Sequence, residues 1–216
     1  MGLGHHRRVD PLPLTAEMWV DVICPWAYLG LDRTRLLREL GIGVTLRAYE
    51  LHPDLPLAPR RIQLGGRLET VHRRIAGECA EVGLPFRVPT TIVNSHQVLE
   101  WAEAVAEVEP AMLDRMWERL FRARFVEDRL LDGALLEELT HAVGLDPSRI
   151  ASAVGDGVGG GRLAIARTEA HEAGIAATPG WRFSNGFVVV GVQPREQFRR
   201  WAIRMLEGIG DGDAHR

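Results

Sequence analysis

Cys24 and Pro25 are the two neighbours in this sequence whose types and order specify chemistry most directly. A cysteine just before a proline at the first turn of a helix is a chemical arrangement as well as a structural one. Proline is pre-set for that turn and has no amide hydrogen to leave unpaired. The free N–H groups and the positive end of the helix dipole then face the sulfur and favour its thiolate, the nucleophilic form. Ala27 stands where the second cysteine of a Cys-x-x-Cys pair would be. One activated cysteine without that partner can attack a substrate itself, or form a mixed disulfide that another molecule must resolve.

The flanking residues must hold this cysteine at the end of a strand. Residues 17–23 are a near-continuous apolar run and predict a first strand buried on both faces. Residues 25–40 carry Leu29, Leu36, Leu37 and Leu40 among polar residues and predict a helix, stopped by Gly41 and Gly43. Val44 to Tyr49 alternates and predicts a second strand. Strand, helix and strand over about thirty residues make a βαβ unit with parallel strands and a right-handed crossover. The proline-rich loop 51–59 then leaves the carboxyl end of the second strand and carries His52. Cys24 and His52 thus come to the same sheet edge, where α/β sheets bind ligands. There His52 either moves a proton or serves as a loop histidine bonded to backbone.

A helical region runs from about residue 66 to 174. Val71, Ile75, Cys79 and Val82 share one helical face, and Asn94-Ser95 caps a helix through Trp101 and Val105. The run Gly155 to Gly161 reads as a helix-to-helix connection, since it lacks the Lys-Ser/Thr ending and the preceding strand of a phosphate loop. Ser184-Asn185-Gly186 between apolar runs predicts a hairpin, followed by a closing helix from Pro194. This order predicts an α/β protein with a thioredoxin-like fold and an all-helical insertion between its βαβ and ββα halves. The expected divisions are a flexible leader 1–16, a thioredoxin-like domain 17–51 and 160–207, a helical insertion 52–159 and a flexible tail 208–216.

Composition excludes other classes. The chain has 216 residues, 46% hydrophobic and 25% charged, as a globular protein does. Its formal charge of −3 gives no electrostatic case for nucleic acid, and all 26 basic side chains are arginine. No apolar run approaches the roughly 20 residues a membrane span needs. The leader lacks a signal-peptide core, so a cytoplasmic location is expected. Two cysteines, Cys24 and Cys79, cannot make a disulfide framework or a cysteine-rich metal site. Cys79 lies on an apolar stripe and reads as an inert core thiol. Neither a metal nor a nucleotide is expected.

Five pieces in order carry a resemblance: VDVICPWAYLG, YELHPDLP, Asn94-Ser95, LFRARF and GIAATPGWRFSNGFVVVGVQP. With them the chain resembles the DsbA-like thioredoxin-fold superfamily. It is most similar to the FrnE-like branch, beside 2-hydroxychromene-2-carboxylate isomerases and kappa-class glutathione transferases. The resemblance implies that Pro179 is cis and faces Cys24, and that the Thr178 backbone pairs with a bound thiol or peptide. It implies a substrate- or thiol-binding surface drawn from Pro25, Trp26, Ala27, Asn94, Thr178, Pro179, Trp181 and Gln193. Trp26 is expected to face solvent, and Trp181 to help wall an aromatic pocket. It also implies glutathione or another small thiol as a co-substrate, and a homodimer.

The departures narrow this. Dithiol members have a cysteine where Ala27 stands, and isomerase and transferase members usually have serine where Cys24 stands. Val192 and Gln193 replace the Ser-Asp that holds the γ-glutamyl end of glutathione in the transferases. Three functions follow. The first is a thiol-dependent isomerase or transferase acting on a small electrophile of aromatic, quinone or polyketide type. The second is a monothiol thiol–disulfide oxidoreductase resolved by an external thiol. The third is a non-catalytic binding protein.

Overall fold

The computed structural model describes residues 13–63 and 65–208. Residues 1–12 of the expected leader and 209–216 of the expected tail lie outside the described residues.

Strand β1 (Thr15–Val20) opens the fold, so the leader's last two residues already belong to the sheet. The strand ends before the apolar run does. Asp21 turns the chain: its carbonyl accepts the Cys24 N–H at 3.0 Å and its carboxylate accepts the Ile23 N–H at 3.1 Å. Val22 and Cys24 remain buried beyond the strand, which is why the apolar pattern overruns it. Helix α1 (Pro25–Glu39) follows, and then β2 (Gly43–Ala48), parallel to β1 with Met18 opposite Leu46. The expected βαβ unit is present.

The insertion begins with a feature the residue pattern did not signal. Strands β3 (Arg60–Arg61) and β4 (Thr91–Ile92) pair antiparallel and hold α2 (Gly66–Glu81) between them. Strands of two residues are too short to show alternation. Then come α3 (His96–Val108), a 3-10 turn at Pro110–Met112, α4 (Leu113–Phe125), α5 (Gly133–Ala142) and α6 (Pro147–Gly155). Helix α3 buries Val98, Leu99, Trp101, Ala102 and Val105, each aliphatic side chain contributing roughly 1–3 kcal/mol by leaving water. Its Glu103 is also buried and accepts the Ala48 N–H at 2.8 Å, tying the insertion to the end of edge strand β2.

Helix α7 (Val158–Glu172) corrects the reading of the glycine run. Only Asp156 and Gly157 connect α6 to α7; Gly159, Gly160 and Gly161 are helical. A Cβ on Gly159 would overlap the backbone carbonyl of Glu100, so this glycine lets α7 lie directly on α3. Strands β5 (Gly180–Phe183) and β6 (Val188–Val190) form the expected hairpin, with Gly186 at a φ of 89° in the turn. Strand β5 runs antiparallel to β1, giving the sheet order β2-β1-β5-β6, and α8 (Arg195–Leu206) closes the chain. No helix among the described residues is long and apolar enough to cross a membrane.

Candidate active site

Cys24 is the N-cap of α1, with extended backbone and Pro25 at the first helical position. Its sulfur donates to the carbonyl oxygen of Thr178 at 3.4 Å, and the Thr178–Pro179 peptide bond is cis. Gly30, one to two turns along α1, is where the helix meets Pro179. A Cβ there would come within 3.2 Å of the proline ring and 2.5 Å of Met18 Cε. The glycine of the CPWAYLG run therefore sets the depth at which Pro179 lies against the helix.

The expected thiolate is corrected by burial. The Thr178 side chain and the Ala27 and Trp26 amides do act on the sulfur and pull its pKa down. Loss of water is the larger effect, and with the nearby Asp21 charge it raises the thiol above its ordinary value. Cys24 is 7% exposed and rests as a neutral thiol. Ala27 is fully buried behind it. Cys79 is also a free, fully buried thiol, pushed up to about 11 by burial.

Beneath the cysteine lies Asp21, whose role the residue pattern did not reveal although a carboxylate inside an apolar run was visible. It is fully buried and accepts from Ile23 N, Leu51 N at 2.9 Å and Ser95 Oγ at 3.1 Å. Desolvation raises its pKa to about 6. Ser95 thus spends its hydroxyl on Asp21 instead of capping α3 with its side chain. Asn94 accepts the His96 N–H at 2.8 Å and donates to Leu55 O at 2.7 Å. Its amide fastens the 51–59 loop that carries His52.

Pro25, Trp26 and His52 line one cavity of about 360 Å³ under the insertion. His52 is exposed, and the hydrogen bond of the Cys24 thiol goes to Thr178. Trp26 is only half-buried, but not open as expected, because the Arg74 guanidinium sits 5.3 Å from its ring centre. Trp181 is corrected outright: it is fully buried, with its ring 5.0 Å from that of Phe198 in the core. Tyr28 packs on Phe125 at 5.3 Å and donates to Pro85 O at 2.6 Å. Gln193 lies in the β6–α8 connection; its carbonyl accepts from Arg33 at 3.1 Å and its side chain donates to Val190 O. That arrangement joins the loop to α1. Two further residues on the cavity wall escaped the sequence reading, His72 and Arg124. Arg124 falls three residues after Phe121 on the buried face of α4, a position where a charge is out of place. Among the described residues, no group of three His, Cys, Asp or Glu side chains is placed to hold a metal.

The fold that sets Cys24 at a helix start against the cis Thr178–Pro179 bond is shared with solved structures. The structure superposes on a probable DsbA oxidoreductase from Streptomyces coelicolor with a TM-score of 0.81 at 20% identity, covering 94% of each chain. Cytosolic disulfide reductase DsbM from Pseudomonas aeruginosa, in a structure with GSH, gives 0.67 at 19% identity, covering 89% of this chain and 99% of that one. A 2-hydroxychromene-2-carboxylate isomerase gives 0.65 at 18% identity, covering 90% and 94%. At these identities the likeness is one of fold. No curated protein matches the sequence. The model of the DSBA-like thioredoxin domain matches residues 15–201, nearly the whole described chain, and the protein belongs to that family.

Proposed function

We propose that this protein is a single-cysteine enzyme that uses Cys24, or a small thiol bound beside it, on an electrophilic small molecule. The observation that carries this reading is the apolar cavity walled by Pro25, Trp26 and His52, beside a motif with alanine in place of a second thiol. The cavity has the size of a small-molecule site. The Cys24 sulfur adds to the β-carbon of a conjugated enone or quinone, and its proton passes to a base, with His52 in that role. The electron pair of the carbon–carbon double bond moves onto the carbonyl oxygen as an enolate. The former double bond can then rotate. When the enolate collapses, the carbon–sulfur bond breaks and the thiolate leaves with its electron pair, recovering the proton. Nothing is oxidised or reduced, and no second cysteine is needed.

A second reading is supported by the Thr178 carbonyl on the cysteine and by the fold shared with DsbM. In it Cys24 forms a mixed disulfide with substrate, which an external thiol such as glutathione resolves. Under either reading the substrate is small, the location cytoplasmic and the assembly a homodimer.

Intact-mass measurement after incubation with α,β-unsaturated ketones, quinones and glutathione decides between them. An electrophile adduct lost in Cys24→Ser, with cis-to-trans conversion of a cis-enone, supports the first reading. Glutathione-dependent reduction of a disulfide substrate without enone turnover supports the second. Neither activity leaves a non-catalytic binding protein.

A further inference from the structure

The wall of the cavity beside Cys24-Pro25-Trp26 is apolar through Ile23, Leu55, Val71, Ile92 and Phe125, yet it contains an arginine. Arg124 is 3% exposed. Two of its N–H groups are taken by Thr91, through the backbone carbonyl and the hydroxyl, and its Nε–H has no partner. It forms none of the ion pairs among the described residues; Asp128 acts on it only from a distance. His72, also buried and on the same wall, has an unpartnered Nδ1.

A buried cation without a carboxylate is a costly arrangement, and such charges in folded proteins are paired or functional. Burial lowers Arg124 to about 10, and both burial and the Arg124 charge lower His72. At neutral pH this leaves a charged guanidinium beside a neutral imidazole. Thr91 belongs to the small β3–β4 sheet, so the guanidinium is held by backbone as well as side chain.

We propose that the cavity binds an apolar small molecule through a single anionic oxygen group, such as a carboxylate, seated against Arg124 with His72 beside it. The anion supplies the counter-charge that the protein withholds, while the rest of the ligand fills the apolar space next to Trp26. This proposal rests on the reading of the cavity as the substrate site of Cys24. It adds the substrate's charge and orientation to that reading.

The test uses 2-naphthoate and its neutral amide, 2-naphthamide, as probes, with binding read from tryptophan fluorescence and from the Arg Nε–H resonances. The acid should bind at least about tenfold more tightly than the amide. It should shift the Arg124 Nε–H signal, assigned by its loss in Arg124→Lys, while the amide leaves that signal in place. In Arg124→Met the acid and amide should bind alike. Equal affinities in the wild type, or no binding of either probe up to about 10 mM, would overturn the proposal whether or not Arg124→Met folds. Cys24→Ser should keep the acid's affinity within about twofold, because the anion is seated on Arg124 and the ring on the apolar wall, while the sulfur acts only in the chemical step. Loss of turnover in that variant with binding retained separates the anion site from the chemistry.

Discussion

The Cys24 thiol and the Thr178 carbonyl oxygen, 154 residues apart in sequence, meet at 3.4 Å. Burial and the Asp21 charge favour the protonated sulfur, while the Thr178 side chain and the Ala27 and Trp26 amides favour the thiolate. Burial decides between them for the thiol. The pH profile of iodoacetamide alkylation at Cys24 should therefore have its midpoint above the roughly 8.5 of a free cysteine. Asp21→Asn should move it down, since the Asp21 charge raises the thiol. A midpoint near 6 in the wild type would contradict the buried resting state.

Asp21 should also leave a mark on stability. Its folded pKa, about 6, lies above its ordinary 3.8, so the folded state binds the proton more tightly. The stability linked to this group is present at low pH and is lost as pH rises from about 4 through 6, amounting to about 3 kcal/mol. The difference in urea stability between wild type and Asp21→Asn should shift in that direction over that window. A difference independent of pH would show that Asp21 titrates alike in the folded and unfolded chain, and a difference that grew as pH rose from about 4 to 6 would show a carboxylate stabilised in the folded protein.

Gly30→Ala places a methyl against Met18 and Pro179. Crowding a packed site in this way costs about 1–3 kcal/mol. The Met18 side chain must swing aside, and Pro179, 3.2 Å from the new methyl, must give by a few tenths of an ångström, so the alkylation rate of Cys24 should rise as the Thr178–Pro179 segment loosens. Thermal unfolding and labelling kinetics on the same variant check both effects.

The glycine run allows an internal control. Gly159→Ala drives a methyl into the Glu100 backbone and should destabilise by about 1–3 kcal/mol. Gly161, two residues on in the same helix, has nothing within 4 Å of a Cβ. Gly161→Ala should stabilise by about 0.5–1 kcal/mol through helix propensity. Two substitutions of opposite sign, two residues apart, would confirm that α7 meets the α3 backbone at Gly159.

His52→Ala tests the proton carrier. The side chain is exposed on its loop, so stability should change by less than about 0.5 kcal/mol. Turnover of an enone should fall by about 10²–10⁴. Unchanged turnover would move the proton transfer to water or to substrate.

Local patterns alone determined much of this protein. The apolar run into Cys24-Pro25, the glycine stop, the alternating second strand and the Asn185-Gly186 turn specify the βαβ unit and the hairpin, because their signals lie within a few residues. The lone cysteine and the alanine at 27 were equally legible. What local pattern could not decide was water. Whether Cys24 rests as thiol or thiolate depends on how many atoms cover it, and among them is the Thr178 carbonyl from the other end of the chain. The same is true of Trp181, which Phe198 draws into the core, and of Asp21 and Ser95, joined 74 residues apart. Arg124 is the sharpest case: in sequence it is one more arginine on a helix. Only the packing of α4 beside β4 within the insertion makes it a buried charge on the wall of a cavity, because desolvation is a property of the assembled surroundings and not of the residue.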